Sequence, residues 1–139
     1  MRAVLQRVST AKLTANNSYT TSIGHGLVVL LGITPSDTTQ DLDWLLNKII
    51  NMRIFNDEAD MMNKSVMDVA GELLVISQFT LYAQTKKGNR PSYINAAKGV
   101  FAEKIYNSFI LEFEIKYGFK PKTGKFGHDM KIEFEKNDH

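Results

Sequence analysis

One cluster of side chains able to do polar chemistry stands at the end of the most apolar run of the chain: Ser77-Gln78-Phe79-Thr80, after Leu73-Leu74-Val75-Ile76. A serine or threonine hydroxyl can attack an acyl carbon, but it needs a base to take its proton. Neither a GxSxG elbow nor a His/Asp partner at a recognisable spacing accompanies these two hydroxyls, so by residue type alone a structural role competes with a catalytic one. His25, His128 and His139 are too scattered to make a metal-ligand motif, and the lack of cysteine removes thiolate nucleophiles and Cys-held zinc or iron–sulfur centres. The acids of Asn56-Asp57-Glu58-Ala59-Asp60 lack the alternating oxygens and glycine of a calcium loop and read as a polar turn. No metal and no cofactor are expected. Thr123-Gly124-Lys125-Phe126-Gly127 lacks the spacing and Lys-Ser/Thr ending of a P-loop, and reads as a turn whose amides can hold an anion or a carbonyl oxygen.

Charge points to a second participant. Residues 84–125 carry nine Lys and Arg against three Glu, a local excess of +6 in a chain whose net charge is +2. Such an excess suggests a local anionic partner such as phosphate rather than wholesale coating of nucleic acid. Solvated lysines on a helix and its loops are the alternative. The densest part, Lys86-Lys87-Gly88-Asn89-Arg90, follows directly on the Ser77–Thr80 cluster.

These residues need a scaffold, and 139 residues with 43% apolar positions suffice for one domain with a real core and no cross-links. The first twenty residues interleave Arg2, Arg7 and Lys12 with apolar positions, unlike a signal peptide. The longest apolar run, Leu27 to Ile33, is far short of the ~20 residues of a bilayer span, so a soluble protein is expected. Residues 2–8 and 11–15 read as a strand and its return, with turn chemistry at Asn16-Asn17-Ser18. Val28-Val29-Leu30-Leu31 reads as a strand covered on both faces and ended by Gly32. A helix follows over about 38–51, N-capped by Asp37 with Gln40 as reciprocal partner. Residues 71–83 read as a central strand that delivers Ser77, Gln78 and Thr80 to its end, where α/β sheets place ligand contacts. A second helix over about 96–117 carries Phe101, Ile105, Phe109 and Phe113 as a core stripe and is capped by Gly118, before a last strand at about 129–135.

Several segments carry a resemblance: Met1-Arg2-Ala3-Val4-Leu5-Gln6-Arg7-Val8, Gly32-Ile33 with Asp37-Thr38, Asn51-Met52-Arg53-Ile54-Phe55, Ser77-Gln78-Phe79-Thr80-Leu81-Tyr82-Ala83, Lys87-Gly88-Asn89-Arg90-Pro91-Ser92 and Thr123-Gly124-Lys125-Phe126-Gly127. In order and near-family spacing they resemble the D-aminoacyl-tRNA deacylase family, formerly D-tyrosyl-tRNA deacylase, over almost the whole chain. The resemblance implies an α/β single domain with a strongly curved, barrel-like sheet and packed helices. It further implies a cytoplasmic homodimer, without membrane association, that hydrolyses the ester joining a D-amino acid, or mischarged glycine, to the 3′ end of tRNA.

Residue by residue, the resemblance makes Ser77, Gln78, Phe79 and Thr80 the catalytic pocket, working largely through main-chain groups with help from the ribose 2′-hydroxyl; Thr80 is an older nucleophile candidate. Phe126 and Gly127 become the opposite wall, with Met130 beside them. Arg7 steadies the loop that senses chirality, and we read Lys86, Lys87 and Arg90 as phosphate contacts to the acceptor end. Ser77–Ala83 matches one of the family's two signature motifs; the other, an Asn-x-Gly-Pro-Val-Thr-type segment whose Gly-cis-Pro pair reaches the partner subunit's pocket, has no match in Glu135-Lys136-Asn137-Asp138-His139. The expectation is therefore a deacylase-like domain over residues 1–139, shortened or altered at that device. A catalytically impaired protein that only holds the tRNA acceptor end, and a general esterase on small activated esters, are the other readings.

Overall fold

The computed structural model describes residues 1–136; Asn137, Asp138 and His139, in the stretch where the Gly-Pro motif finds no match, lie outside the described residues. Strand β1 (Arg2–Ala15) is continuous, not a strand and return. The chain reverses at Asn16-Asn17-Ser18, where Asn16 and Asn17 take φ of 48° and 58°, the left-handed region that asparagine tolerates. The returning β2 (Tyr19–Ile23) and β3 (Gly26–Gly32) pair with β1 from Ala15↔Tyr19 to Arg2↔Gly32. What read as a break in β1 is a bulge: pairing with β8 (Met130–Lys136) shifts register between Val8 and Thr10, and the buried set passes from Val8 to Ala11, Leu13 and Ala15. One inserted residue flips the alternation to the other face, which in a sequence looks like two short strands.

Helix α1 (Thr39–Asn51) and a small hairpin, β4 (Phe55–Asn56) with β5 (Met62–Lys64), carry the chain from β3 to β6 (Glu72–Ser77), which pairs with β3 in parallel. Helix α2 (Gly99–Tyr117) then leads to β7 (Lys122–Thr123), parallel to β6. The sheet order is β2-β1-β3-β6-β7, with β8 on β1. The two ends of that path meet: the Tyr19 hydroxyl on β2 donates to the Thr123 carbonyl on β7 at 3.1 Å, so the sheet is a nearly closed barrel. Inside it Val8, Leu13, Ile23, Val28, Leu74 and Ile76 are buried together. Outside it Leu46, Ile50, Phe109 and Phe113 pack the helices on Leu27, Val29 and Leu73. Apolar cover on both faces is why β3 and β6 read as unbroken hydrophobic runs.

Three boundaries differ from the sequence reading. The cap of α1 is Thr38, in a reciprocal pair with Asp41, not Asp37 with Gln40. Asp37 is buried and engaged elsewhere, accepting from the Met1 ammonium at 2.6 Å and the Thr34 amide at 2.8 Å. Helix α2 starts at Gly99, later than expected, leaving Ala96 and Ala97 in a loop, and Phe101 at the head of its stripe is 37% exposed rather than core; its end is as expected, Gly118 adopting φ 77°.

The third difference shapes the site. Strand β6 stops at Ser77 instead of running to residue 83, and Phe79–Tyr82 form a 3-10 turn. Its partner β3 ends at Gly32, so after the Gln78 amide bonds the Leu31 carbonyl at 2.7 Å there is no ladder left to join. The turn folds onto Gly32, where a Cβ would stand 2.9 Å from Leu81 Cβ; only glycine admits that approach.

Candidate active site

The end of β6 opens into a cavity of about 480 Å³, of the size that holds a small ligand. One wall is Ile76, Ser77, Gln78 and Phe79. Facing it is the segment from Phe126 to Met130, continued by Ile132 on β8. A third wall, Ala97, Gly99 and Ala102, comes from the loop before α2 and its first turn. That wall is tied to the end of β3: the Ala97 amide donates to the Ile33 carbonyl at 2.8 Å, and the Thr34 hydroxyl to the Asn95 carbonyl at 2.6 Å.

The structure thus brings together Ser77, Gln78, Phe79, Phe126, Gly127 and Met130, segments some fifty residues apart in sequence. Thr80 does not line the cavity; its hydroxyl oxygen accepts from the Gln78 side-chain amide within the turn. Phe79 is 56% exposed at the cavity mouth, its ring edge-on to Tyr93 with centroids 5.0 Å apart. Arg7 is also outside the lining, donating to the Ile54 carbonyl at 2.9 Å. Lys86, Lys87 and Arg90 lie exposed on a hairpin closed by paired bonds between Gln84 and Ser92, 2.7 and 2.8 Å, with Gly88 at φ 69° at its tip.

Packing holds the facing wall in place. The Tyr106 hydroxyl, from α2, donates to the Val75 carbonyl at 2.6 Å, and its ring lies 6.1 Å from that of Phe126. Burial pushes this phenol well above the ordinary tyrosine range, so it remains a neutral donor. Gly124 is a close approach: a Cβ there would fall 2.4 Å from Met130 Sδ, so the glycine leaves Met130 its place in the wall.

The third wall escaped the sequence reading, its only signal being small residues, Ala96-Ala97 and Gly99, at the start of an otherwise bulky helix. His128 and Asp129 also reach the cavity edge. The His128 ring pairs through Nδ1 with the Asn16 side-chain amide at 3.0 Å, while the Asn16 backbone amide donates to the Asp129 carbonyl at 3.1 Å, fastening this wall to the β1–β2 turn. No group of three metal-ligating side chains occurs among the described residues. What the site offers chemically is a half-enclosed slot of main-chain and apolar groups, with Ser77 and Gln78 on one wall and His128 and Asp129 at its edge.

Comparison with known proteins gives a consistent answer. A family model described as D-Tyr-tRNA(Tyr) deacylase matches residues 4–138. The D-aminoacyl-tRNA deacylase of Flavobacterium johnsoniae is 55% identical over 132 residues, 95% of this chain and 88% of that one. Its namesake from Phocaeicola vulgatus is 52% identical over 137 residues, 99% of this chain and 91% of that one. Among solved structures, the c-Myc DNA Unwinding Element Binding Protein superposes with a TM-score of 0.90 at 40% identity, covering 97% of this chain and 91% of that one. A probable eukaryotic D-amino acid tRNA deacylase gives 0.79 at 17% identity over 96% and 92%, a likeness of fold.

Proposed function

The chain belongs to the D-Tyr-tRNA(Tyr) deacylase family and hydrolyses D-aminoacyl-tRNA to free D-amino acid and tRNA, and from this premise we propose that the cavity at the end of β6 is where the ester is cleaved. One observation carries the proposal: Ser77, Gln78 and Phe79 face Phe126, Gly127 and Met130 across about 480 Å³. The acylated adenosine occupies that slot, with Phe79 at its mouth. The 3-10 turn opens at Phe79, and the first amides of such a turn have no acceptor within it. They are suited to hold the oxygen of the ester carbonyl, and the negative charge that collects there when water adds to the carbon.

Water attacks the acyl carbon, the bond from that carbon to the ribose 3′-oxygen breaks, and the leaving oxygen takes a proton from the adjacent 2′-hydroxyl, which recovers one from the attacking water. An aminoacyl ester is already activated, so orientation and oxyanion stabilisation can supply the several kcal/mol required without a protein base. Glycine, with no side chain for the walls to reject, is accepted on the same footing as a D-residue. Lys86, Lys87 and Arg90 contact acceptor-end phosphates, and Arg7 has a positioning role through the Ile54 segment. The enzyme acts in the cytoplasm as a homodimer, a reading supported by the resemblance and by exposed Val4 and Phe134 on β1 and β8.

Met130→Trp fills the cavity from its half-buried rim. Release of D-tyrosine from charged tRNA should fall at least tenfold while the melting temperature changes little. Full activity in a folded Met130→Trp protein would remove this cavity as the site.

A further inference from the structure

A second groove of about 640 Å³ adjoins the first and shares Ala97 and Gly99 with it. Its other walls are Pro35, Ile94, Ala96, Lys98, Val100 and Phe101. Nothing in the core explains this surface. Ile94 is 77% exposed and Val100 89%, unusual for large aliphatic side chains, and Phe101 turns away from the stripe it heads. A Cβ at Gly99 would meet no atom within 4 Å, so the threshold between the two cavities is open.

We propose that this groove binds the base of the nucleotide that immediately precedes the acylated adenosine. The proposal rests on the reading of the first cavity given above. An adenosine seated there, with its ester towards Ser77, has one chain leaving it, through the 5′-phosphate. The open threshold at Gly99 leads that chain directly into the groove. The lining suits an unpaired nucleotide: an aromatic ring and aliphatic faces for the base, and Lys98 at the threshold for the phosphodiester. The neighbouring hairpin with Lys86, Lys87 and Arg90 continues the positive charge along the same segment of chain, without an acidic residue between Gln84 and Lys98. A second protein copy would have to bury the Lys98 ammonium against an apolar face, whereas a phosphodiester neutralises it.

The experiment compares D-tyrosyl-adenosine with D-tyrosyl-cytidylyl-adenosine, which adds only the preceding nucleotide. For the unmodified enzyme the longer substrate should have a KM lower by about tenfold, the scale of one stacked base. Phe101→Ala with Ile94→Ser should abolish that gain and leave D-tyrosyl-adenosine hydrolysis unchanged. Val100→Asp, at a position too exposed to disturb folding, should reduce the gain by setting a carboxylate beside the phosphodiester. The proposal is overturned if the extra nucleotide brings no gain, if the variants keep it, or if they slow both substrates equally, as loss of a subunit contact would. Failure of the first cavity as the site would show separately, as a Met130→Trp enzyme that still hydrolyses D-tyrosyl-adenosine at full rate.

Discussion

At the scale of single residues, two hydroxyls beside a reactive ester invite a nucleophile assignment that their surroundings do not support. Thr80 is engaged with the Gln78 amide and lies off the cavity, and Ser77 lines it with no imidazole or carboxylate bonded to its hydroxyl among the described residues. If main-chain amides and the substrate's own 2′-hydroxyl do the work, Ser77→Ala and Thr80→Ala should each lower kcat for D-tyrosyl-tRNA by no more than about tenfold. Deleting a true nucleophile costs on the order of a thousandfold or more. Single-turnover deacylation of the two variants separates these outcomes. Replacement of the tRNA's terminal adenosine by its 2′-deoxy form should cost far more than either substitution.

Among the elements, α2 is the support on which the catalytic strand and its facing wall both depend. Tyr106 joins them, bonding Val75 on β6 while its ring backs Phe126. Tyr106→Phe should cost about 1 kcal/mol, the usual worth of one buried hydrogen bond. The phenol also sets an alkaline limit. Its pKa is raised by burial in the folded chain, so the folded state binds the proton more tightly than the unfolded one. The stabilisation is complete below the ordinary tyrosine value near 10 and is lost as pH rises beyond it. Melting temperature should therefore fall between about pH 8 and about pH 11 by less in Tyr106→Phe than in the unmodified protein. Some fall should remain, because burial raises the Tyr82 phenol in the same sense. Equal falls in both proteins would exclude this account of Tyr106.

For the molecule as a whole, the uneven charge along the chain gives binding its salt dependence. Lys86, Lys87 and Arg90 are exposed together on one hairpin. If all three meet phosphates, their joint change to alanine should flatten the slope of log Kd for uncharged tRNA against log salt by about 2 to 3. An unchanged slope would mean that the hairpin does not touch the nucleic acid. The two helices, the buried β3 and β6 and the glycine end of α2 were all legible in the sequence, because periodicity and caps are local consequences of burial and backbone geometry. The resemblance carried the class of fold, the family and the reaction. Three things needed the third dimension. The bulge in β1 imitates a strand end because it inverts the alternation on which the reading relies. The stop of β6 at Ser77 is set not by its own residues, which alternate onward to Ala83, but by Gly32 ending the neighbouring ladder. And the wall of Ala97, Gly99 and Ala102 is in place because hydrogen bonds from the Ala97 amide to the Ile33 carbonyl and from the Thr34 hydroxyl to the Asn95 carbonyl hold a distant loop across the end of the sheet. Local pattern fixes which residues must be covered; which distant segment covers them is decided by closure of the barrel, where one strand's end is another strand's neighbour.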